Sequence, residues 1–209
     1  MIRIVIADDH AVVREGIKRI LLEEFPFALI EEVNDTEELI KVIVKGEWDI
    51  VICDLSMPGR SGLDALHQIK QIFPKLPVLI LSVYPEEQYG IRALKAGAAG
   101  YLSKNAAPKE LINAIQRTLM GRVFVSPTLA EKLATNLTQE SDKYPHEMLS
   151  NREFDVFKLI SSGKSVSEIA ILLSLGITTI STYRVRVLKK MQMNTNAELT
   201  RYALENNLI

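Results

Sequence analysis

Two aspartates stand side by side in IRIVIADDH (residues 2–10), directly after an apolar run. Asp54 ends another such run, WDIVICD; Ser82 ends PVLILS; Lys104 follows AAGYLS. Adjacent carboxylates repel, and a buried charge is costly unless something pairs with it. A solvated loop with a capping aspartate accounts for any one of these residues. It does not account for acids, a hydroxyl and an ammonium delivered at the ends of four apolar runs. Three carboxylates gathered at one edge require a hard cation, and Mg2+ fits, because it takes oxygen ligands, keeps several waters and bridges to phosphate. Lys104 then supplies a point charge for an anionic oxygen and Ser82 a hydroxyl donor. One carboxylate can attack a phosphoryl group and form an acyl phosphate. Asp54 is the candidate, since it follows the central run most directly.

These residues share an edge only if the runs form one parallel sheet. The apolar runs IRIVIA (2–7), FALIEEV (27–33), WDIVICD (48–54), PVLILS (77–82) and AAGYLS (98–103) alternate with helical patterns. Val13, Ile17, Ile20 and Leu21 recur at helical spacing, as do Leu111, Ile112, Ile115 and Leu119. Leu39, Ile40 and Ile43 mark a helix behind Asp35-x-x-Glu38; Leu66, Ile69 and Phe73 mark another; Ile91 and Leu94 precede Gly97. Five strands separated by helices, with right-handed crossovers, predict a five-stranded parallel sheet covered on both faces, a flavodoxin-like (βα)5 α/β domain over 1–120. In such sheets ligands sit outside the carboxyl ends of the strands.

Residues 121–145 read as a connector, polar in its second half and ending at Pro145, with TLAEKLATNL able to form a helix. Residues 146–209 switch to helices alone, an all-α four-helix unit. Ser150-x-x-Glu153, Ser165-x-x-Glu168 and Thr195-x-x-Glu198 are capping-box starts. Within SVSEIAILLSLGITTISTYRVRVLKKM (165–191), Val166, Ile169, Ala170 and Leu173 face a core, Gly176 falls at a tight turn, and the next helix buries Ile180, Tyr183 and Val187. Its other faces expose Thr178, Thr179, Ser181, Thr182, Arg184, Val185, Arg186, Lys189 and Lys190. Hydroxyls early and cations late suit a helix whose N-terminal residues meet base edges while the rest grips phosphates. Cations favoured electrostatically at a helix C-terminus give the same pattern, and the residues alone leave both readings open.

Composition narrows the classes. The 209 residues are 47% hydrophobic and 24% charged, as in a folded globular chain of two domains. A net charge of −1 divides unevenly, with 14 basic against 17 acidic residues in 1–120 and 8 against 6 in 145–209, too small a surplus to establish a nucleic-acid partner by itself. One cysteine, Cys53, permits no internal disulfide, and no apolar run has transmembrane length, so a cytoplasmic protein without a membrane partner is expected.

Asp8–Asp9, Asp54 within DLSMPGRSG, Ser82, Tyr101 and Lys104 together resemble the receiver domain of a two-component response regulator, over about 1–122. The resemblance implies that Asp54 is the phospho-acceptor, supplied by a sensor histidine kinase or a small phosphodonor. It implies that Asp9, Asp54 and the carbonyl of Ser56 hold Mg2+, with Asp8 acting through water. It also makes Ser82 and Tyr101 a switch pair and brings Lys104 onto the phosphoryl oxygens. One departure is Asn105, where many receivers have proline.

LSNREFDVFKLISSGKSVSEIA, TTISTYRVRVLKKM and AELTRYALENNLI resemble the helix-turn-helix of the NarL/FixJ (LuxR-type) regulators, over about 150–209. That implies binding to double-stranded promoter DNA, with Ser181, Thr182 and Val185 as base readers and Lys164, Arg184, Arg186, Lys189 and Lys190 as backbone contacts. Here Gly176 replaces a frequent serine cap and Tyr183 a frequent histidine. Paired half-sites imply a homodimer in the active state, with RNA polymerase a further possible partner.

The reading is of a phosphorylation-controlled transcription regulator rather than an enzyme. The alternative keeps the DNA binding and makes the receiver a phosphorylation-independent dimerisation module; the intact acidic set argues against it. A Mg2+-dependent phosphatase usually needs a second acid two residues after the nucleophile, where this chain has Ser56. His10, His67 and His146 are read as helix-start and surface residues, Trp48 as packing at the third strand, and Cys53 as a buried structural thiol.

Overall fold

The computed structural model describes residues 1–57, 61–138 and 144–209. Positions 58–60 of DLSMPGRSG and 139–143 of the expected connector lie outside the described residues. The chain divides into two compact units, Met1–Thr138 and Gln139–Ile209.

In the first unit β1 (Arg3–Ala7), β2 (Leu29–Val33), β3 (Ile50–Asp54), β4 (Val78–Ser82) and β5 (Gly100–Ser103) alternate with α1 (Ala11–Glu24), α2 (Thr36–Lys45), α3 (Gly62–Ile72), α4 (Glu86–Lys95) and α5 (Pro108–Leu119). The sheet order is β2-β1-β3-β4-β5, and every pair is parallel. β3 and β4 are buried at every position because helices cover both faces, whereas β2, at an edge, alternates between exposed and half-buried residues up to the buried Val33. Ile4, Ile6, Ile50, Ile52, Leu79 and Leu81 form one core face with Ile17 and Leu21 of α1 and Leu111 and Ile115 of α5. Caps fix where helices begin: Asp35 accepts from the Glu38 N–H, and Ser61 and Asp64 form a reciprocal box.

The register sets the functional edge. Ala7 lies opposite Cys53, Asp54 opposite Leu81, and Ser82 opposite Ser103, so the residues that end β1, β3, β4 and β5 emerge side by side. Gly62 closes this edge. Its N–H bonds the Leu55 carbonyl at 2.9 Å, and a Cβ there would overlap the Asp54 carbonyl oxygen. The obstacle is backbone of the central strand and cannot rotate away. Gly62→Ala is therefore expected to cost about 3 kcal/mol, read as a lower urea midpoint.

In the connector the segment TLAEKLATNL is helical, as its sequence allows. Pro127–Thr138 forms α6 within the first unit. Phe124 bridges to Gly100, Leu129 is buried against Gly90 of α4, Ser126 Oγ donates to Glu86 Oε1 at 2.7 Å, and Lys132 Nζ donates to the Glu87 carbonyl at 2.7 Å. A helix face too narrow to stand out as a stripe is completed by a glycine on its neighbour.

The second unit holds a 3-10 turn (Pro145–Met148), α7 (Asn151–Ser161), α8 (Val166–Leu172), α9 (Ile177–Met191) and α10 (Asn196–Glu205). Phe154, Phe157, Ile169, Ile180, Val187, Met191 and Leu199 are its buried centre. α8 and α9 meet at 112°, within the range of helix-turn-helix pairs. Ser174, at φ 52°, takes the left-handed position of the turn, whereas Gly176 has φ −68° and sits as the cap of α9 without a capping side chain. The boxes at Ser150 and Ser165 are reciprocal, but at Thr195 the Glu198 carboxylate reaches the Asn194 N–H instead. Tyr183 is half-buried rather than a core residue. His146 is not a plain surface residue either: its Nδ1 lies 2.8 Å from the Tyr202 hydroxyl, with its ring beside Phe154. Among the described residues no single helix is long and apolar enough to cross a membrane.

Candidate functional site

Asp8, Asp54, Ser82 and Lys104 meet at the carboxyl edge of the sheet. Lys104 Nζ lies 2.8 Å from Asp54 Oδ2 and 2.7 Å from Asp8 Oδ2, the latter a charge contact outside hydrogen-bond alignment. Asp8 and Asp54 are 1% and 2% exposed, so the ammonium between them offsets charge that burial would otherwise penalise. Burial pushes the Asp54 carboxyl above the usual range; the Asp8 charge adds to this, while Lys104 and the Ser56 N–H oppose it. For Lys104 burial works against the charge, and the Asp54 and Asp8 carboxylates outweigh it, holding the ammonium above its ordinary value.

Asp9 is more exposed, with Oδ1 2.8 Å from His10 Nδ1. Asp8, Asp9, His10 and Asp54 each offer a ligand atom, and these atoms lie within 4.8 Å of one another. Asp54 Oδ1 is buried without a hydrogen-bond partner. Carboxylates with a buried free lone pair suit a divalent cation. Ser56, half-buried, directly follows Leu55 at the end of β3. His10 thus joins the cluster, although its place at a helix start gave no sign of it.

Tyr101 and Ser82 are both fully buried and meet around the loop after β4. The Tyr84 N–H donates to Ser82 Oγ at 3.2 Å, and the Tyr101 hydroxyl donates to the Tyr84 carbonyl at 2.8 Å. Burial raises the Tyr101 phenol, with a hydrogen bond to Ser82 in opposition. The backbone of one residue, Tyr84, is therefore held at both its N–H and its carbonyl by these two side chains, a feature that side-chain patterns do not carry. The Cys53 thiol is fully buried and pushed up by burial and then by Asp54 and Asp8, which makes it a poor nucleophile.

On α9, Thr178, Thr179, Ser181, Thr182, Val185, Arg186 and Lys189 are exposed, and so is Lys164 before α8. Thr182 Oγ1 donates to the Thr178 carbonyl at 2.9 Å, a bond within the helix that leaves its acceptor side open. Arg184 is half-buried and its Nε donates to Asn196 Oδ1 at 2.8 Å, tying α9 to α10.

Lys190 departs furthest from the expected free cation. Its Nζ lies 2.6 Å from Oε2 of Glu153, which is 3% exposed and also caps α7. Burial would raise the Glu153 carboxyl, but Lys190 and the Ser150 N–H and hydroxyl hold it below the usual range. A depressed folded value contributes stability above the unfolded carboxylate range and loses it as pH falls through the folded value. Lys190→Ala is expected to destabilise the helical unit by about 1–3 kcal/mol near neutrality. Urea titrations at several pH values should show that loss shrinking in acid.

Residues 4–116 match the family described as response regulator receiver domain, and 147–203 match the bacterial regulatory proteins of the luxR family. Response regulator UvrY of Escherichia coli (strain K12) is 34% identical over 209 residues, covering 100% of this chain and 96% of UvrY. Oxygen regulatory protein NreC of Staphylococcus carnosus is 34% identical over 214 residues, covering 99% of each. Among solved structures, RcsB of Salmonella enterica serovar Typhimurium, bound to promoter rprA with a phosphomimetic, superposes with a TM-score of 0.66 at 28% identity, over 97% of this chain and 98% of that one. The strand-end acids and lysine of the first unit, the 112° helix pair of the second and these full-length matches agree: the chain belongs to the two-component response regulators that join a receiver domain to a LuxR-type helix-turn-helix, a family of DNA-binding transcription regulators.

Proposed function

We propose that Asp54 accepts a phosphoryl group from a sensor histidine kinase or a small phosphodonor, and that this modification controls binding of a homodimer to promoter DNA in the cytoplasm. The observation that carries the reading is the buried Asp54 carboxylate, with one oxygen on Lys104 and the other unpartnered. An oxygen of Asp54 attacks phosphorus as the bond from phosphorus to the donor breaks, leaving an acyl phosphate and the donor's leaving group. Lys104 stays beside the new group and holds its oxygens. Asp9, Asp54 and the Ser56 carbonyl would hold Mg2+, with Asp8 through water; the cation supplies charge stabilisation to the transferring oxygens.

Ser82 and Tyr101 provide the local readout. Turning Ser82 Oγ toward the phosphoryl oxygens gives up its bond from the Tyr84 N–H, so the loop that Tyr101 also grips must rearrange. Phosphorylation adds about −1.5 to −2 charge at one point, enough to bias two packings of similar energy.

In the second unit Thr178, Thr179, Ser181, Thr182 and Val185 face the bases, and Lys164, Arg186 and Lys189 face the phosphates. Arg184 serves mainly to position α9, and Lys190 to hold α7. The proposed division is a receiver at 1–120, a connector at 121–145 that includes α6, and a DNA-binding domain at 146–209. RcsB, the similar structure, is bound to promoter DNA and has also been solved as two dimers on two parallel DNAs, which supports the dimer. The alternative, a receiver that dimerises without phosphorylation, has no observation in its favour at the acidic edge.

Incubation with a small phosphodonor and Mg2+ tests the assignment. The expected result is one phosphoryl group, mapped to the peptide that contains Asp54. No uptake, or uptake confined to another peptide, overturns it.

A further inference from the structure

His10 is unemployed by the helix it begins. It caps α1 with its backbone, and its side chain makes no capping hydrogen bond. Its own N–H instead donates to Asp8 Oδ1 at 2.8 Å, which fixes the turn and carries the ring over the acidic edge. There Nδ1 lies 2.8 Å from Asp9 Oδ1 and 3.3 Å from Asp8 Oδ1. Independently, Asp54 in the same group keeps Oδ1 buried without a hydrogen-bond partner.

We propose that His10 Nδ1 is a ligand of this site, and that it shifts the site's preference toward first-row transition divalent cations, Mn2+ to Zn2+, relative to Mg2+. The proposal rests on the reading of the acidic edge as a cation site and goes beyond it by adding a nitrogen to an oxygen set. Carboxylates and carbonyls alone suit Mg2+, Ca2+ and Mn2+, while an imidazole adds affinity along the transition series and gives Mg2+ little. Beside a carboxylate, which only accepts, Nδ1 carries the proton. On ligation that proton leaves Nδ1 and the ring takes the Nε2–H form. The side chain is 65% exposed, so Nε2–H finds water as its partner.

The test uses the full chain with Mn2+ as a paramagnetic probe and Mg2+ as competitor. Pulsed electron paramagnetic resonance on the wild type should show hyperfine coupling to an imidazole nitrogen. His10→Asn should abolish that coupling and lower the affinity ratio of Mn2+ to Mg2+ by about tenfold. Asn is a favoured helix cap, so α1 is kept in the variant. Mn2+ bound without nitrogen coupling, or with a coupling or ratio unchanged by His10→Asn, overturns the ligand role and leaves the acidic site standing. No Mn2+ binding at all overturns both.

Discussion

Asp54→Asn is expected to abolish phosphoryl uptake and, in metal-free buffer near neutrality, to make the first unit more stable by about 1–2 kcal/mol. A site selected for chemistry holds charges that folding alone would not keep. Burial pushes the Asp54 carboxyl up, the Asp8 charge pushes it further, and Lys104 is shared between the two. A group whose folded value is raised contributes stability below its unfolded value and loses it as pH rises through the folded one. Ionised Asp54 is thus a burden at neutral pH, and the amide, uncharged throughout, removes it. As pH falls and wild-type Asp54 takes up its proton, the advantage of the variant should close. Urea titrations of both proteins across the acid range check this directly. A variant less stable than wild type at neutral pH would mean that the Asp54–Lys104 contact outweighs the burial of the charge.

The second large effect lies on α9. Replacing Arg186 and Lys189 together by alanine should weaken promoter binding across all sequences. The slope of log affinity against log salt should become shallower by about 0.9 for each cation lost. Val185→Ser should behave differently, costing about 1–3 kcal/mol at one base pair and relaxing discrimination there with the salt slope unchanged. Lys190→Ala separates structure from contact. Because its ammonium is held by buried Glu153, it should lower the stability of the helical unit and leave the slope nearly intact. Salt titrations on a promoter fragment, paired with urea titrations, distinguish the three outcomes. An equal fall in slope for Lys190→Ala would place that residue on phosphate after all.

Much of the acidic edge is legible in the chain because a parallel sheet is so constrained. Once IVI, IVI and LIL are strands buried on both faces, their carboxyl ends must lie together, and Asp8, Asp54, Ser82 and Lys104 follow. What escapes is whatever depends on a side chain's final direction. The ring of His10 turns back onto Asp9 because a backbone bond to Asp8 fixes the turn, and no spacing rule encodes that. Lys190 and Glu153 are 37 positions apart, and a capping box read locally gives no hint that its glutamate also holds a cation from another helix. Gly176 is the cap of α9, in the place where the resemblance puts a serine, but the left-handed conformation of the turn falls on Ser174, a residue type that gives no sign of it. α6 was visible only as a helical tendency, since the apolar face it meets is made by Gly90 and becomes evident once α4 is in place.

The central proposal, that chemistry at Asp54 governs binding by α9, comes down to one comparison: the affinity of the full chain for promoter DNA with and without a phosphodonor, in wild type and Asp54→Asn. Affinity should rise severalfold on phosphodonor treatment of the wild type, together with a shift to dimer, and stay flat in the variant. Wild-type affinity that ignores the phosphodonor, or a variant that responds as the wild type does, would sever the two units' functions and return the receiver to a phosphorylation-independent role.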